Sequence, residues 1–291
     1  MSEPQRNEAQ PREAPGSEPR PVATSNREPR RGDDGLAKAS ELLPPARGTR
    51  YGWEIALVLG VSLGQSAIYS ILSLIEKNTR PVPIGQQTTT MNNSIVPDRP
   101  WLDLSYQVAG IIFPMVPAFL ALYLLWLTGN RREIGFDWRR PGFDVSRGFL
   151  AAAVIGIPGL AFYYAARALG WNTDVRPANL ADNWWTIPVY VGLAVMNGVL
   201  EEVIMLGYLF TRLKQLGWRV WQIVAFSALI RGSYHLYQGI GGGIGNVVMG
   251  VVFGLLYLRW RRVGPLVVAH VLLDLVSFIG YALAAPYLPK F

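Results

Sequence analysis

Six ionisable side chains lie inside apolar stretches of this 291-residue chain: Glu201 and Glu202 in "NGVLEEVIMLGYL", Arg231 and His235 in "SALIRGSYHLYQG", and His270 and Asp274 in "HVLLD". Two imidazoles and a carboxylate that meet in a low-dielectric cavity can activate water by general-base catalysis, or bind a metal of the His/His/carboxylate type. Glu201, His235 and His270 are the expected members of that group. Asp274, one helical turn after His270, would orient the imidazole or add a ligand, so a divalent metal such as zinc would use Glu201, His235, His270 and Asp274. Neighbouring glutamates point ~100° apart on a helix, which predicts different partners for the two. Glu202 is expected to pair with Arg231 as a structural clamp.

Each such group at membrane depth costs about 2.5–3.5 kcal/mol, so six together imply mutual compensation. Arg231/His235 and His270/Asp274 are i,i+4 pairs, each on one helical face. At ~1.5 Å per residue, Glu201 lies roughly 16 Å from Arg212, His235 roughly 24 Å from Arg219 and Asp274 roughly 18 Å from Arg262. These depths predict a shared site if the fifth helix tilts or extends. A break at Asn197-Gly198 would put Glu201 near the positive end of a short helix.

The elements that must position these groups are seven predicted membrane helices, at about 53–75, 102–128, 147–169, 184–211, 219–237, 244–259 and 264–284, using ~20 residues per span. The site then lies between the fourth, fifth and seventh, in an all-α integral membrane protein. Basic residues cluster at Arg47 and Arg50, at Arg131, Arg132, Arg139 and Arg140, at Arg212, Lys214 and Arg219, and at Arg259, Arg261 and Arg262. The intervening connections are neutral or nearly balanced. The positive-inside rule therefore predicts a multi-pass protein of the cell membrane with a cytoplasmic N-terminus.

Composition agrees: 51% of residues are apolar, with 10 Trp, 13 Tyr and 11 Phe. The net charge of +7 resides in short clusters between apolar runs and not on one solvated face, which argues against a nucleic-acid partner. The absence of cysteine excludes disulfides, thiolate metal sites and cysteine nucleophiles. Residues 1–50, with eight prolines, nine basic and eight acidic residues, read as a disordered tail, leaving 51–291 as the membrane domain. "GIGGGIG" (239–245) follows a membrane run, so it does not read as a dinucleotide-binding loop. Gly241/Gly245 and Gly250/Gly254 have the spacing of close helix packing. Pro114 and Pro117 predict a kink, and Trp53, Trp184, Trp218 and Trp260 predict interfacial anchors.

The order of a Glu-Glu pair, a His closing the next helix and H-x-x-x-[ND] on a later one resembles the CPBP intramembrane proteases, the CAAX-prenyl-protease and bacteriocin-processing family, and in particular its CAAX prenyl protease 2-like members. The likeness covers roughly 184–281. It implies an all-helical membrane endopeptidase acting near the cytoplasmic face, with membrane lipid around it and a peptide or protein substrate, lipidated or not. It further implies that Glu201 and His235 activate water while His270 and Asp274 stabilise the oxyanion; for the family, use of a metal is an open question.

Two positions depart from the family pattern. Leu206 stands where the first motif has Arg, and Arg231 where the second has Phe. Arg231 is expected to replace the missing cation beside Glu202. Alternative readings are a non-catalytic scaffold or immunity protein that keeps the fold, and an ion or proton carrier using the same carboxylates. The chain shows no internal repeat of the kind many transporters carry.

Overall fold

A computed structural model describes residues 47–284. The tail expected over 1–50 lies outside the described residues except for its last four, which form the first turn of a helix. The helices are α1 (Arg47–Gly60), α2 (Leu63–Asn78), α3 (Pro100–Leu127), α4 (Pro141–Ala168), α5 (Thr186–Glu202), α6 (Leu209–Gln215), α7 (Val220–Ser233), α8 (Ile240–Trp260) and α9 (Gly264–Ala284). A π-helical turn, Val203–Tyr208, joins α5 to α6, so Thr186–Gln215 is one continuous helix. Two short strands, β1 (Thr88–Thr90) and β2 (Asp174–Arg176), pair in parallel across two connections.

The described residues contain five helices long and apolar enough to cross a membrane: α3, α4, Thr186–Gln215, α8 and α9. The first predicted run is split into α1 and α2, which meet at 52° and would together form a sixth crossing. At the bend the Ser62 hydroxyl donates to the Val58 carbonyl at 2.5 Å, a local bond that competes with the helical ladder. The predicted 219–237 run is the other departure from seven spans. Its helix α7 has 14 residues, about 21 Å against a hydrocarbon core of ~30 Å, too short to cross alone. Ser233 folds its hydroxyl back to the Ile230 carbonyl (2.7 Å), and the chain turns through Tyr234 and His235 into a single 3₁₀ turn, Leu236–Gln238.

The basic connections meet at one end. Val263 N–H donates to the Ile134 carbonyl (2.8 Å) and Gln215 to Asn130 (3.0 Å); Arg212 reaches Thr128 (3.1 Å) and Glu54 (3.1 Å). The neutral connections meet at the other end, where Thr89 and Thr173 share a hydrogen bond (2.7 Å) and Thr173 N–H donates to the Gln238 carbonyl (3.0 Å).

Burial identifies the central element. In the apolar window of Thr186–Gln215, 72% of the residues are buried, against 22% in α3 and 11% in α4. The helix that carries the two glutamates is thus wrapped by protein, while α3 and α4 present apolar side chains outward, as lipid-facing helices do. α5 packs on α3 and α9, α4 on α9, and α7 on α8. At Gly250 of α8 an added Cβ would lie 2.8 Å from the Ala228 Cα of α7, so the small residue there sets how closely α7 approaches.

Candidate active site

The sequence around Asn197-Gly198 does not break the helix. α5 runs on through Glu202, and the irregularity follows the glutamates as the π-helical turn. Gly198 serves packing instead: a Cβ there would meet Val271 Cγ2 at 2.8 Å and the Val267 carbonyl at 3.2 Å. That close approach of α5 to α9 brings Glu202 within reach of His270. The π turn leaves the Met205 carbonyl free to accept from Ser227 of α7 (3.2 Å), which ties α7 to the same level. π-helical turns of this kind are frequent at functional sites.

Arg231 of α7 extends into this space with 1% of its surface exposed. Its Nη2 donates to both Glu202 oxygens, at 2.7 and 2.8 Å, and its Nη1 lies 3.3 Å from Glu201 Oε2. The expectation of separate partners for the two glutamates is therefore corrected: the fork of one guanidinium spans both. Arg231 also sits over the Phe253 ring, 5.6 Å from its centroid.

His270, in the second turn of α9, places Nδ1 2.6 Å from Glu202 Oε1. The sequence predicted Glu201 as its partner, yet Nε2 stands 4.0 Å from Glu201 Oε2 and 3.9 Å from Asp274 Oδ1. Since Glu202 accepts from Arg231, the Nδ1 proton is the one given to it, and Nε2 is turned toward Glu201 and Asp274. Asp274 is half-buried and its Oδ2 accepts from Asn197 Nδ2 (2.8 Å).

His235 lies past the end of α7 and is half-buried. Its Nδ1 is 3.0 Å from the Arg231 carbonyl; a carbonyl only accepts, so Nδ1–H donates and Nε2 is left over. No hydrogen bond joins it to Glu201 among the described residues. Tyr234, which the sequence reading missed, makes that contact instead: its hydroxyl donates to Glu201 Oε2 at 2.6 Å. The signal was a phenol next to His235, three residues after Arg231 and so on nearly the same face.

The tightest grouping of possible metal ligands is Glu201, Glu202 and His270, within 4.8 Å of one another. Glu202 is a poor member of it, because it is wholly buried and both of its oxygens are already forked by Arg231. The two glutamates differ in one decisive respect. Glu201 retains 9% exposure, and its Oε1 accepts no hydrogen bond from the described residues, whereas Glu202 is 0% exposed.

A family model for type II CAAX prenyl endopeptidases, described as Rce1-like, matches residues 183–276. No curated protein and no solved structure matches the chain. The matched segment begins just before α5, ends in α9 and carries all six ionisable groups of the site. Motif order and family model agree, and the likeness to the CPBP/CAAX proteases is carried by residues 183–276.

Proposed function

We propose that this chain is an intramembrane endopeptidase in which Glu201 is the base that activates water. The observation that carries the reading is the spare oxygen of Glu201. Tyr234 and Arg231 hold Oε2 at 2.6 and 3.3 Å, which fixes the carboxylate and leaves Oε1 to accept a proton from water. His235, fixed through Nδ1, offers Nε2 as the second partner for that water. Attack on a peptide carbonyl puts negative charge on its oxygen, which needs donors already in place. His270 in its imidazolium form spends Nδ1–H on Glu202 and keeps Nε2–H for the oxyanion. Asn197 holds Asp274 beside it; Asp274 itself could donate only when protonated.

The donor chemistry also fits a divalent cation. Both histidines engage Nδ1 with a carbonyl or carboxylate, which leaves each Nε2 for a metal. Of the expected ligands, only Glu201 and His270 lie close enough to share an ion, together with Glu202, and His235 and Asp274 fall outside that group. A zinc ion bound there would supply Lewis-acid stabilisation of the oxyanion. The substrate is a peptide or protein, and under the positive-inside rule the basic end of the bundle faces the cytoplasm.

The test is reconstitution in liposomes with candidate peptides, prenylated and unprenylated, comparing the wild type with Glu201→Ala in the presence and absence of a chelator. Cleavage by the wild type and none by a folded Glu201→Ala variant is expected. Equal turnover by both would refute the assignment of the base, and chelator-insensitive cleavage would remove the cation.

A further inference from the structure

We propose that the cleft between the first turn of α4 and the last turn of α8 binds the phosphate headgroup of an anionic phospholipid. The cleft, about 490 Å³ in volume, is lined by Arg140, Phe143, Arg147, Arg259 and Trp260. None of these belongs to the candidate active site. Phe143 and Trp260 meet edge to face, with ring centroids 6.3 Å apart, and the Arg147 guanidinium lies 5.7 Å from the Phe143 centroid. The floor is thus aromatic and the rim cationic.

The three guanidinium groups are exposed, and among the described residues none of them forms an ion pair. The acids nearest in sequence, Asp137 and Asp144, are both taken by Arg262, the first at 2.9 Å and the buried second through two bonds of 2.7 Å. No protein carboxylate therefore neutralises the cleft. Planar guanidinium groups suit phosphate oxygens, and the N-terminus of α4 adds the positive end of its dipole.

The position selects a lipid over a soluble anion. The cleft opens at the basic end of the bundle, next to Trp260 at a helix terminus. From it α4 presents Phe149, Leu150, Val154 and Ile157 outward, all at least half exposed, and α8, which packs on α4, presents Leu255. A headgroup in the cleft would therefore have its acyl chains against apolar side chains. Basic pockets between membrane helices are suited to such headgroups.

The full-length protein in detergent would be titrated with phosphatidylglycerol, phosphatidylcholine and inorganic phosphate, and the lipid adducts resolved by native mass spectrometry. The double variant Arg147→Gln/Arg259→Gln would be compared with Arg131→Gln/Arg132→Gln, which removes the same charge from the same end outside the cleft. Phosphatidylglycerol is expected to bind in preference to phosphatidylcholine and to be weakened on the order of tenfold or more in the first variant only. Inorganic phosphate should not displace it at equal concentration. If the first variant does not fold, Arg147→Gln alone, with a loss of about threefold to fivefold, carries the test. Lack of headgroup preference, an equal loss in both double variants, or displacement by inorganic phosphate would each overturn the proposal.

Discussion

His270 Nδ1 lies 2.6 Å from Glu202 Oε1, so the imidazole of the third motif is held by the second glutamate of the first. Arg231 forks the same carboxylate. Glu202 is therefore more than an anion seeking a cation: it is the joint at which α5, α7 and α9 meet, and it aims the opposite ring nitrogen toward Glu201. The two glutamates can be separated experimentally on that basis.

Glu202→Gln removes one acceptor and the negative charge but keeps the shape. Arg231 and His270 would then compete for a single amide oxygen, leaving a buried cation poorly compensated. A loss of about 3–5 kcal/mol in stability is expected, with turnover in the surviving folded fraction down roughly 10–100-fold, as for loss of an orienting partner. Glu201→Gln, by contrast, should abolish turnover with little effect on unfolding. Thermal unfolding and peptide cleavage measured on both variants check this; equal destabilisation by the two would reject the division of roles.

Arg231→Leu should be as damaging as Glu202→Gln, because it leaves two carboxylates at one level without their guanidinium, at a cost of about 3–5 kcal/mol. Leu206, 1% exposed and four residues after Glu202, is where the family pattern carries Arg. Adding Leu206→Arg to the Arg231→Leu background should recover folding at least in part, through a cation on the same helix as Glu202. A double-mutant cycle on unfolding gives the coupling. Strict additivity of the two changes would show that the cation has not moved from one helix to the other.

The membrane class, the basic end and the six charged groups were legible because each breaks a strong rule: a charge in an apolar run must be compensated. Which atom compensates which was not. Periodicity gives the face of a helix but not its height relative to a neighbour, and that height is set here by Gly198 against Val271 and by the π turn after Glu202. Periodicity alone therefore pairs His270 with Glu201 and does not single out Tyr234. The end of α7 is hidden for a related reason: "SYHLYQG" is apolar enough to continue a helix, and the turn that stops it is held by long-range partners, Ser70, Lys77 and Thr173.

At the basic end, Asp137 links the α3–α4 connection to Arg262. Burial pushes the Asp137 carboxyl up, but the Arg139 N–H (3.0 Å) and the Arg262 guanidinium (2.9 Å) outweigh it and hold it below the usual carboxylate range. A group lowered on folding stabilises above its unfolded value, near pH 4, and loses that contribution as the pH falls through the folded value. Wild type should therefore be more stable than Asp137→Asn at pH 7, with the gap closing as the pH falls below about 4. Unfolding of both proteins across that range measures it; a gap independent of pH would exclude ionisation as its source.

Lys77 supports His235 from the opposite end. Its side chain is 8% exposed, and Nζ donates to Thr89 Oγ1 (2.9 Å) and to the Tyr237 carbonyl, while Tyr237 N–H donates to Ser70 Oγ (2.7 Å). These bonds pin the 3₁₀ turn that follows His235. Lys77→Met keeps the length of the side chain and removes the donor, leaving the Tyr237 carbonyl only the long 3.4 Å contact from the Thr89 hydroxyl, at a cost of about 1–3 kcal/mol. The loosening should be local, since the Glu202–Arg231–His270 cluster does not touch Lys77. Amide hydrogen exchange is expected to rise over 235–239 with protection in α5 unchanged, and turnover to fall as His235 loses its fixed position. Unchanged exchange in that turn would mean that the remaining bonds to Ser70 and Thr173 hold His235 without the lysine.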